Sequence, residues 1–502
     1  MTPSTRSPAL ALGASVASFV FFATVAAAPG SPFTPVHPPS AEAGGPFRWL
    51  AELVGLDAVQ GSALAAVGVA AACLAAAAFV LVVREAWLGS IAPRTVLWLA
   101  VAYHVVLLFL PLLFSRDVYS YAYYGRIASV YHANPYVATP ADFPQDALAA
   151  YVGPKWVDTA AVYGPLWTQI SALVTRLVDG VTASIVAFRV IAVTASLATI
   201  AVVARLVRRQ RPEREAFAIA VIGLNPVVLF QSVASGHNDL LVALSVAAAV
   251  ALVFARRDLL ATAVLALGML VKATVAIPLL LLIVAAVAAR PKGERWRALS
   301  RHAAVAGGLV VVAALPFLNA SDPTLGIVEL STHEGWLAPS RFFRRIFDAV
   351  SGDLLGIVPR IVFPLILLAA LYLIARELVR RAPATPWLGG AAWGWGLLCL
   401  LLLGPVLLPW YVTWALPLAW LLPQFPRAML LGASVALTVS QWTSERAGFT
   451  TAYDANILFG HYVLTPLLIA MAWLLVDLWR RTHGGEPLED APGDVAATAG
   501  GR

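Results

Sequence analysis

The stretch Ser115-Arg116-Asp117-Val118-Tyr119-Ser120-Tyr121-Ala122-Tyr123-Tyr124-Gly125-Arg126 follows directly on the apolar run Val96–Phe114. A segment apolar enough to enter a bilayer ends, and the chain at once presents an arginine, an aspartate and four tyrosines. Charges at the mouth of a membrane helix are costly unless they meet water or a ligand. Asp117 is therefore read as the chemical centre, and the other apolar runs are read for what they bring to it.

The composition supports a membrane setting. Of 502 residues, 60% are hydrophobic and 12% charged, with a mean hydropathy of +0.81, against about 25% charged in a soluble domain. Long apolar runs recur from end to end, which predicts an all-α, polytopic membrane protein. The formal charge of +7 is no nucleic-acid signature, because the basic residues sit in short loops between apolar runs. Cys73 and Cys399 lie inside such runs, so no disulfide or zinc framework follows from them. The absence of GxGxxG and Walker A patterns weighs against an ATP-driven transporter.

Charge sets the expected topology. Pro8–Ala28, preceded by Arg6, is read as a retained first helix rather than a cleaved signal peptide. Ser62–Val83 is the second span and Arg94–Phe114 the third. Arg84 and Arg94, the Arg205–Arg214 loop, Arg256 and Arg257, the Arg290–Arg301 loop, Arg376–Arg381, and Arg480 with Arg481 are cytoplasmic by the positive-inside rule, which leaves Asp117 outside. With both flanks inside, Asp258–Ala289 must be a hairpin of two short helices with its apex near Lys272, and Pro278 is expected to break the return arm. Trp387–Pro423 is read likewise, with an apex at Gly404, Pro405 and Pro409. Leu166–Val178 is placed at the outer interface and Thr182–Val207 across the membrane. This gives about 14 transmembrane helices, within a range of about 12–14, and both termini cytoplasmic. Residues 1–481 form one polytopic domain, with 115–165 as a large external catalytic loop and 319–355 as a second. Residues 482–502, rich in Gly, Ala and acidic residues, are expected to be a disordered cytoplasmic tail.

The outer face then collects Asp117, Asn134, Tyr163-Gly164-Pro165, Gly236-His237-Asn238-Asp239, Lys272, the His333–Arg345 segment with Trp336, and Trp410-Tyr411. Each has a plainer reading. Asp117 could be a solvated helix end, Asn238 or Asp239 a helix N-cap, Lys272 a snorkelling side chain, and Tyr123, Tyr124 and Tyr131 an interfacial belt. Lys272 lies between Val271 and Ala273 in a very apolar run, which favours an anionic partner. Asp117, Asp239 and His237 are the candidate ligands for a divalent metal, but no spacing signature supports one; no metal or cofactor is assigned. The ionisable residues gather at the outer ends of spans rather than at the midplane, and no internal repeat is evident. That favours an enzyme acting on a membrane-anchored substrate over a transporter.

Arg116-Asp117-Val118-Tyr119-Ser120-Tyr121 with Gly125-Arg126, Asn134-Pro135-Tyr136, Tyr163-Gly164-Pro165-Leu166, Gly236-His237-Asn238-Asp239, Val271-Lys272 and Pro409-Trp410-Tyr411 with Trp414 and Pro417 resemble the landmarks of polytopic glycosyltransferases of the GT-C fold. More narrowly, the chain resembles the actinobacterial polyprenyl-phosphomannose-dependent α-1,6-mannosyltransferases. The resemblance covers roughly residues 100–420 and does not reach the Ala/Pro-rich ends. It implies an extracytoplasmic site in a multi-pass plasma-membrane enzyme. The implied partners are a polyprenyl-phosphate sugar donor, a glycan or lipoglycan acceptor and membrane lipid, with no nucleic acid. Asp117 would be the general base of an inverting mannosyl transfer. By residue type, Lys272, His237 and Arg116 are then assigned to the donor phosphate, and Tyr121, Asn134, Tyr163, Asn238, Asp239, Trp336 and Trp410 to the substrates. The alternatives are another donor sugar, arabinofuranosyl or glucosyl, and, as a different class, a lipid-linked-sugar transporter.

Overall fold

The computed structural model describes residues 6–35, 45–318, 325, 337–351, 355–440 and 468–492. Every regular element among them is helical. In hydrocarbon, backbone N–H and C=O groups must be satisfied within the segment, and a helix does this for long Ala-, Leu- and Val-rich runs. Among the described residues six helices are long and apolar enough to cross a membrane: Ser7–Ala27, Gly61–Trp87, Val181–Gln210, Lys292–Phe317, Ile357–Arg380 and Pro386–Leu403. A seventh candidate is the bent pair Pro212–Gly223 and Val227–Val233. Pro93–Leu107, Asp239–Phe254, Asp258–Met269 and Ala273–Ala288 are apolar but shorter. The chain is a helical membrane protein in which, among the described residues, several further apolar runs are short or broken.

The breaks position the site. The run expected to cross as Arg94–Phe114 is helical only over Pro93–Leu107, and a new helix starts at Asp117. Residues 115–165, expected as an external loop, hold the helix Asp117–Ser129, then 3₁₀ turns at Pro140–Asp142, Ala149–Tyr151 and Pro154–Trp156, leading into the helix Pro165–Leu177. That 13-residue helix is about 20 Å long, too short to cross, and it packs on Asp117–Ser129. Val181–Gln210 is the long helix that follows, as the charge pattern required.

The second break bends the helix pair by 41°, with Pro226 ahead of a π-helical segment at Val227–Val233. The third is the expected hairpin. Asp258–Met269 and Ala276–Ala288 are joined around Lys272, whose backbone is extended at φ −152° and ψ 126°. Pro278 does not break the return arm. It sits in the first turn of Ala276–Ala288, where a missing N–H leaves no helical bond unmade. The return arm of Trp387–Pro423 is likewise not an α-helix: after Pro386–Leu403 the chain comes back through 3₁₀ turns at Pro409–Trp414 and Leu416–Leu418.

Thr482 belongs to the helix 468–484, and the next residues pack back onto the molecule instead of trailing away. Leu488 is fully buried, its carbonyl accepts from Trp395 Nε1 at 3.0 Å, and Asp490 pairs with Arg427 at 2.8 Å and Arg211 at 3.2 Å. The expected disordered tail is therefore placed as far as residue 492. His333, Glu334 and Trp336 lie outside the described residues.

Candidate active site

Three of the breaks meet. Where Pro93–Leu107 stops, the carbonyls of Leu108, Leu110 and Pro111 are released from helical bonding, and Arg189 donates to all three at 3.1, 2.6 and 3.1 Å. The same guanidinium donates to Ala234 O at 3.0 Å, and Ser235 Oγ donates to Leu113 O at 2.6 Å. The turn before Asp117 is thus tied to the turn before His237. Gly236 closes that second turn at φ +68°, in the left-handed region that glycine adopts freely. A Cβ there would lie 2.7 Å from Val118 Cγ2. The hairpin apex is held in a similar way. Gly164 N donates to Val271 O at 3.1 Å and Leu166 N to Leu270 O at 3.0 Å. A Cβ on Gly164 would lie 2.1 Å from Leu270 O, so the Tyr163-Gly164-Pro165 strap needs glycine to reach the lysine-bearing turn.

The side chains then form one polar cluster. Asp117 opens its helix with its N–H on Ser115 Oγ at 3.1 Å, and its side chain keeps 24% exposure while His237 has none. His237 Nδ1 faces Asp117 Oδ2 at 3.6 Å and Asp239 Oδ2 at 3.9 Å. The imidazole stacks on Trp410 with ring centroids 4.0 Å apart. Tyr121 OH lies 3.4 Å from His237 Nδ1 and donates to Asn238 Oδ1 at 3.4 Å. Asp239 Oδ1 accepts from Lys272 Nζ at 2.7 Å and from Trp414 Nε1 at 2.6 Å. The ammonium also lies 4.3 Å from the Tyr411 ring centroid, and Tyr411 stacks on Trp414. Tyr163 meets Tyr121 edge-on at 4.8 Å.

Burial pushes the Asp117 carboxyl up to about 6, with the Lys272 ammonium and the Ser115 and Tyr163 hydroxyls pulling the other way. Burial, with Lys272 nearby, drives His237 well below the usual imidazole range, so at neutral pH it is an uncharged ring. An uncharged ring can still donate a hydrogen bond to a phosphate but brings no positive charge to it. His237 Nε2, Asn238 Nδ2 and Asp239 Oδ2 are buried without hydrogen-bond partners. Buried polar groups are rarely left so unless something else completes them.

The structure therefore brings together Asp117, Tyr121, Tyr163, His237, Asn238, Asp239, Lys272 and Trp410. Asn134 makes none of these contacts; it donates one N–H to Phe317 O at 2.9 Å and accepts from Tyr136 N at 3.0 Å. Arg116 occupies the N-cap of the Asp117 helix, with its stem near Gly153. Trp336 lies outside the described residues. Lys272, whose apolar surroundings favoured an anionic partner, is paired with Asp239. Among the described residues no group of three or more His, Cys, Asp or Glu is placed to hold a metal ion. Sequence reasoning missed Arg189 and the contacts of Trp414. An arginine inside the apolar run Val181–Gln210 is the signal that was available for the first, since ionisable residues in such runs need partners.

A family model described as alpha-(1->6)-mannopyranosyltransferase, N-terminal domain, matches residues 12–290, a span that holds Asp117, His237, Asp239 and Lys272. Alpha-(1->6)-mannopyranosyltransferase A of Mycobacterium tuberculosis is 28% identical over 361 residues, 69% of this chain and 67% of that protein. Its namesake in Corynebacterium glutamicum is 30% identical over 176 residues, 35% of each chain. No solved structure matches the chain.

Proposed function

From the premise that this chain belongs to the alpha-(1->6)-mannopyranosyltransferase family, we propose that it transfers a mannosyl residue from a polyprenyl-phosphate donor to a hydroxyl of a glycan or lipoglycan at the outer membrane face. The observation that carries the mechanism is the Asp117 carboxyl, open to solvent on one side and faced by neutral His237 on the other.

In this reading the acceptor hydroxyl attacks C1 of the donor sugar as Asp117 Oδ takes its proton. The C1–O bond to the phosphate breaks, and the phosphate leaves with the bonding pair. A positioned carboxylate contributes about 10²–10⁴-fold. A carboxyl near pKa 6 is a stronger base than an ordinary aspartate and is still mostly ionised at neutral pH. Direct displacement inverts the anomeric centre, so a β-linked donor yields an α-mannoside. Lys272 uses one N–H on Asp239, and its other two are available to phosphate oxygens as negative charge grows there. Neutral His237 and Asn238, each with an unused polar atom, suit sugar hydroxyls, and the Trp410 ring behind His237 holds the imidazole in place.

The test is label transfer from polyprenyl-phospho-[¹⁴C]mannose to a short α-mannoside acceptor, in membranes carrying the native protein or Asp117→Asn. Label in a longer oligosaccharide, lost in the variant, is the expected result. Transfer only from another polyprenyl-phosphate sugar would replace mannose and keep the mechanism, whereas no transfer from any such donor would overturn the enzyme reading. Near-native activity in Asp117→Asn would remove Asp117 from the role of base.

A further inference from the structure

The hairpin that carries Lys272 at its apex has its feet at Asp258 and Arg290. Between those feet and the start of the helix Arg295–Ala314 lies a cavity of ≈ 530 Å³. Arg256, Arg257, Arg290, Arg297 and Arg301 all line it. They come from three places in the chain: the turn after Asp239–Phe254, the end of the return helix, and one face of Arg295–Ala314. Among the described residues none of these five side chains is in a hydrogen bond or an ion pair.

In the other basic loops at least one arginine is paired. Arg208 pairs with Glu215, Arg211 with Glu213 and Asp490, Arg380 and Arg381 with Glu377, Arg427 with Asp490, and Arg481 with Asp477. Two carboxylates, Asp258 and Glu294, also line the cavity, which leaves five positive charges facing two negative ones there. Arg297 and Arg301 stand one turn apart on a helix, a like-charge spacing that disfavours the isolated helix. Arg256 takes φ +59°, a region a non-glycine residue enters uncommonly. Like charges held together this way are stabilised by an anion between them.

The position of the cavity selects the anion. Leu259 and Leu260, which line it, are 41% and 51% exposed, and Trp296 is 76% exposed. Exposed leucines in the lining, with an exposed tryptophan next in sequence to Arg297, mark the boundary between hydrocarbon and headgroups. Basic pockets between the ends of membrane helices suit phosphorylated lipid headgroups. We propose that this cavity binds the phosphate headgroup of an anionic membrane lipid, with the acyl chains lying along Leu259 and Leu260. The site is separate from the catalytic cluster, one hairpin length away, and its occupation does not depend on the reaction assigned above.

The test uses the purified full-length protein in detergent and native mass spectrometry, with phosphatidylglycerol, phosphatidylcholine and inorganic phosphate as probes. Phosphatidylglycerol should be retained in preference to phosphatidylcholine. At roughly fivefold per arginine near a membrane surface, Arg297→Ala/Arg301→Ala should weaken it about 25-fold. Arg297→Lys/Arg301→Lys, which keeps the charge, should retain most of the binding and guards against a folding artefact. Arg205→Ala/Arg209→Ala, in another basic loop, should leave it unchanged. Equal losses in the two alanine pairs, or no loss in the first, would overturn the site. Binding of inorganic phosphate as tightly as the lipid would overturn the lipid as its occupant and point to a soluble phosphorylated ligand.

Discussion

The bent pair Pro212–Gly223 and Val227–Val233 starts beside one buried ionic cluster and ends beside another. At its start both carboxylate oxygens of Asp490 are paired, Oδ1 with Arg211 and Oδ2 with Arg427. The Asp490 N–H also donates to Leu421 O at 2.9 Å. At its end Asp239 has one oxygen accepting two hydrogen bonds and the other accepting none, and His237 Nε2 and Asn238 Nδ2 also lack hydrogen-bond partners. A buried polar group left unmade costs about 1–3 kcal/mol, and three such groups in adjacent residues are a cost that a purely structural cluster has no reason to carry. In the first cluster the chain itself supplies a partner to each carboxylate oxygen of Asp490. The second has the form of a site that a polar ligand completes.

Substitutions in the two clusters should therefore fail in different ways. Asp117→Asn should show the largest effect, a loss of about 10²–10⁴-fold in transfer with little change in melting temperature, because that carboxyl is partly open to water. The native kcat/KM should fall as pH drops through about 6, since the base is lost on protonation, and this limb should vanish in the residual activity of the variant. Asp239→Ala comes next. It leaves the Lys272 ammonium and the Trp414 N–H without their acceptor, and breaking such a pair costs about 3–5 kcal/mol when buried. Lys272 is 14% exposed, so the lower end is expected. Thermal unfolding in detergent checks it. Asp239→Ala/Lys272→Met should recover stability but not transfer. Recovery of transfer would show that the pair only fills space.

How these clusters stood in the sequence differs as well. Asp117, His237, Asn238, Asp239 and Lys272 were legible because each interrupts an apolar run, and the hairpin with Lys272 at its apex followed from charge alone. The broken helices were not legible: a run such as Arg94–Phe114 reads as one span, since periodicity does not register where carbonyls are handed to a side chain far along the chain. Asn134 is a substrate ligand by residue type alone, and residue type gives no sign that its amide also holds Phe317 O and Tyr136 N. The Asp490 clasp could not be foreseen from a Gly- and Ala-rich tail, because the order comes from partners more than 60 residues away.

Arg189 lies between the two kinds of behaviour. It touches no substrate group proposed here, but its one guanidinium caps the carbonyls of Leu108, Leu110, Pro111 and Ala234 and so fixes the turns that carry Asp117 and His237. Arg189→Lys keeps the charge but replaces a planar fork with a point donor. A loss of about 2–3 kcal/mol is expected from the charged hydrogen bonds that lysine cannot remake. Transfer should fall in the fully folded fraction, with kcat reduced more than KM is raised. If only melting temperature moves, Arg189 belongs with the closed cluster.

Asp490→Ala should be the smallest effect and is the control that can break the contrast. Arg211 and Arg427 keep other hydrogen bonds, to Glu213 and to Leu422 O, and Asp490 is 19% exposed, so water can replace part of what is lost. About 1 kcal/mol of stability should go, with transfer per folded molecule unchanged. A drop in transfer without a drop in melting temperature would mean that the clasp reaches the distant site through the bent pair, and the division between a cluster completed by the chain and one completed by substrate would then fail.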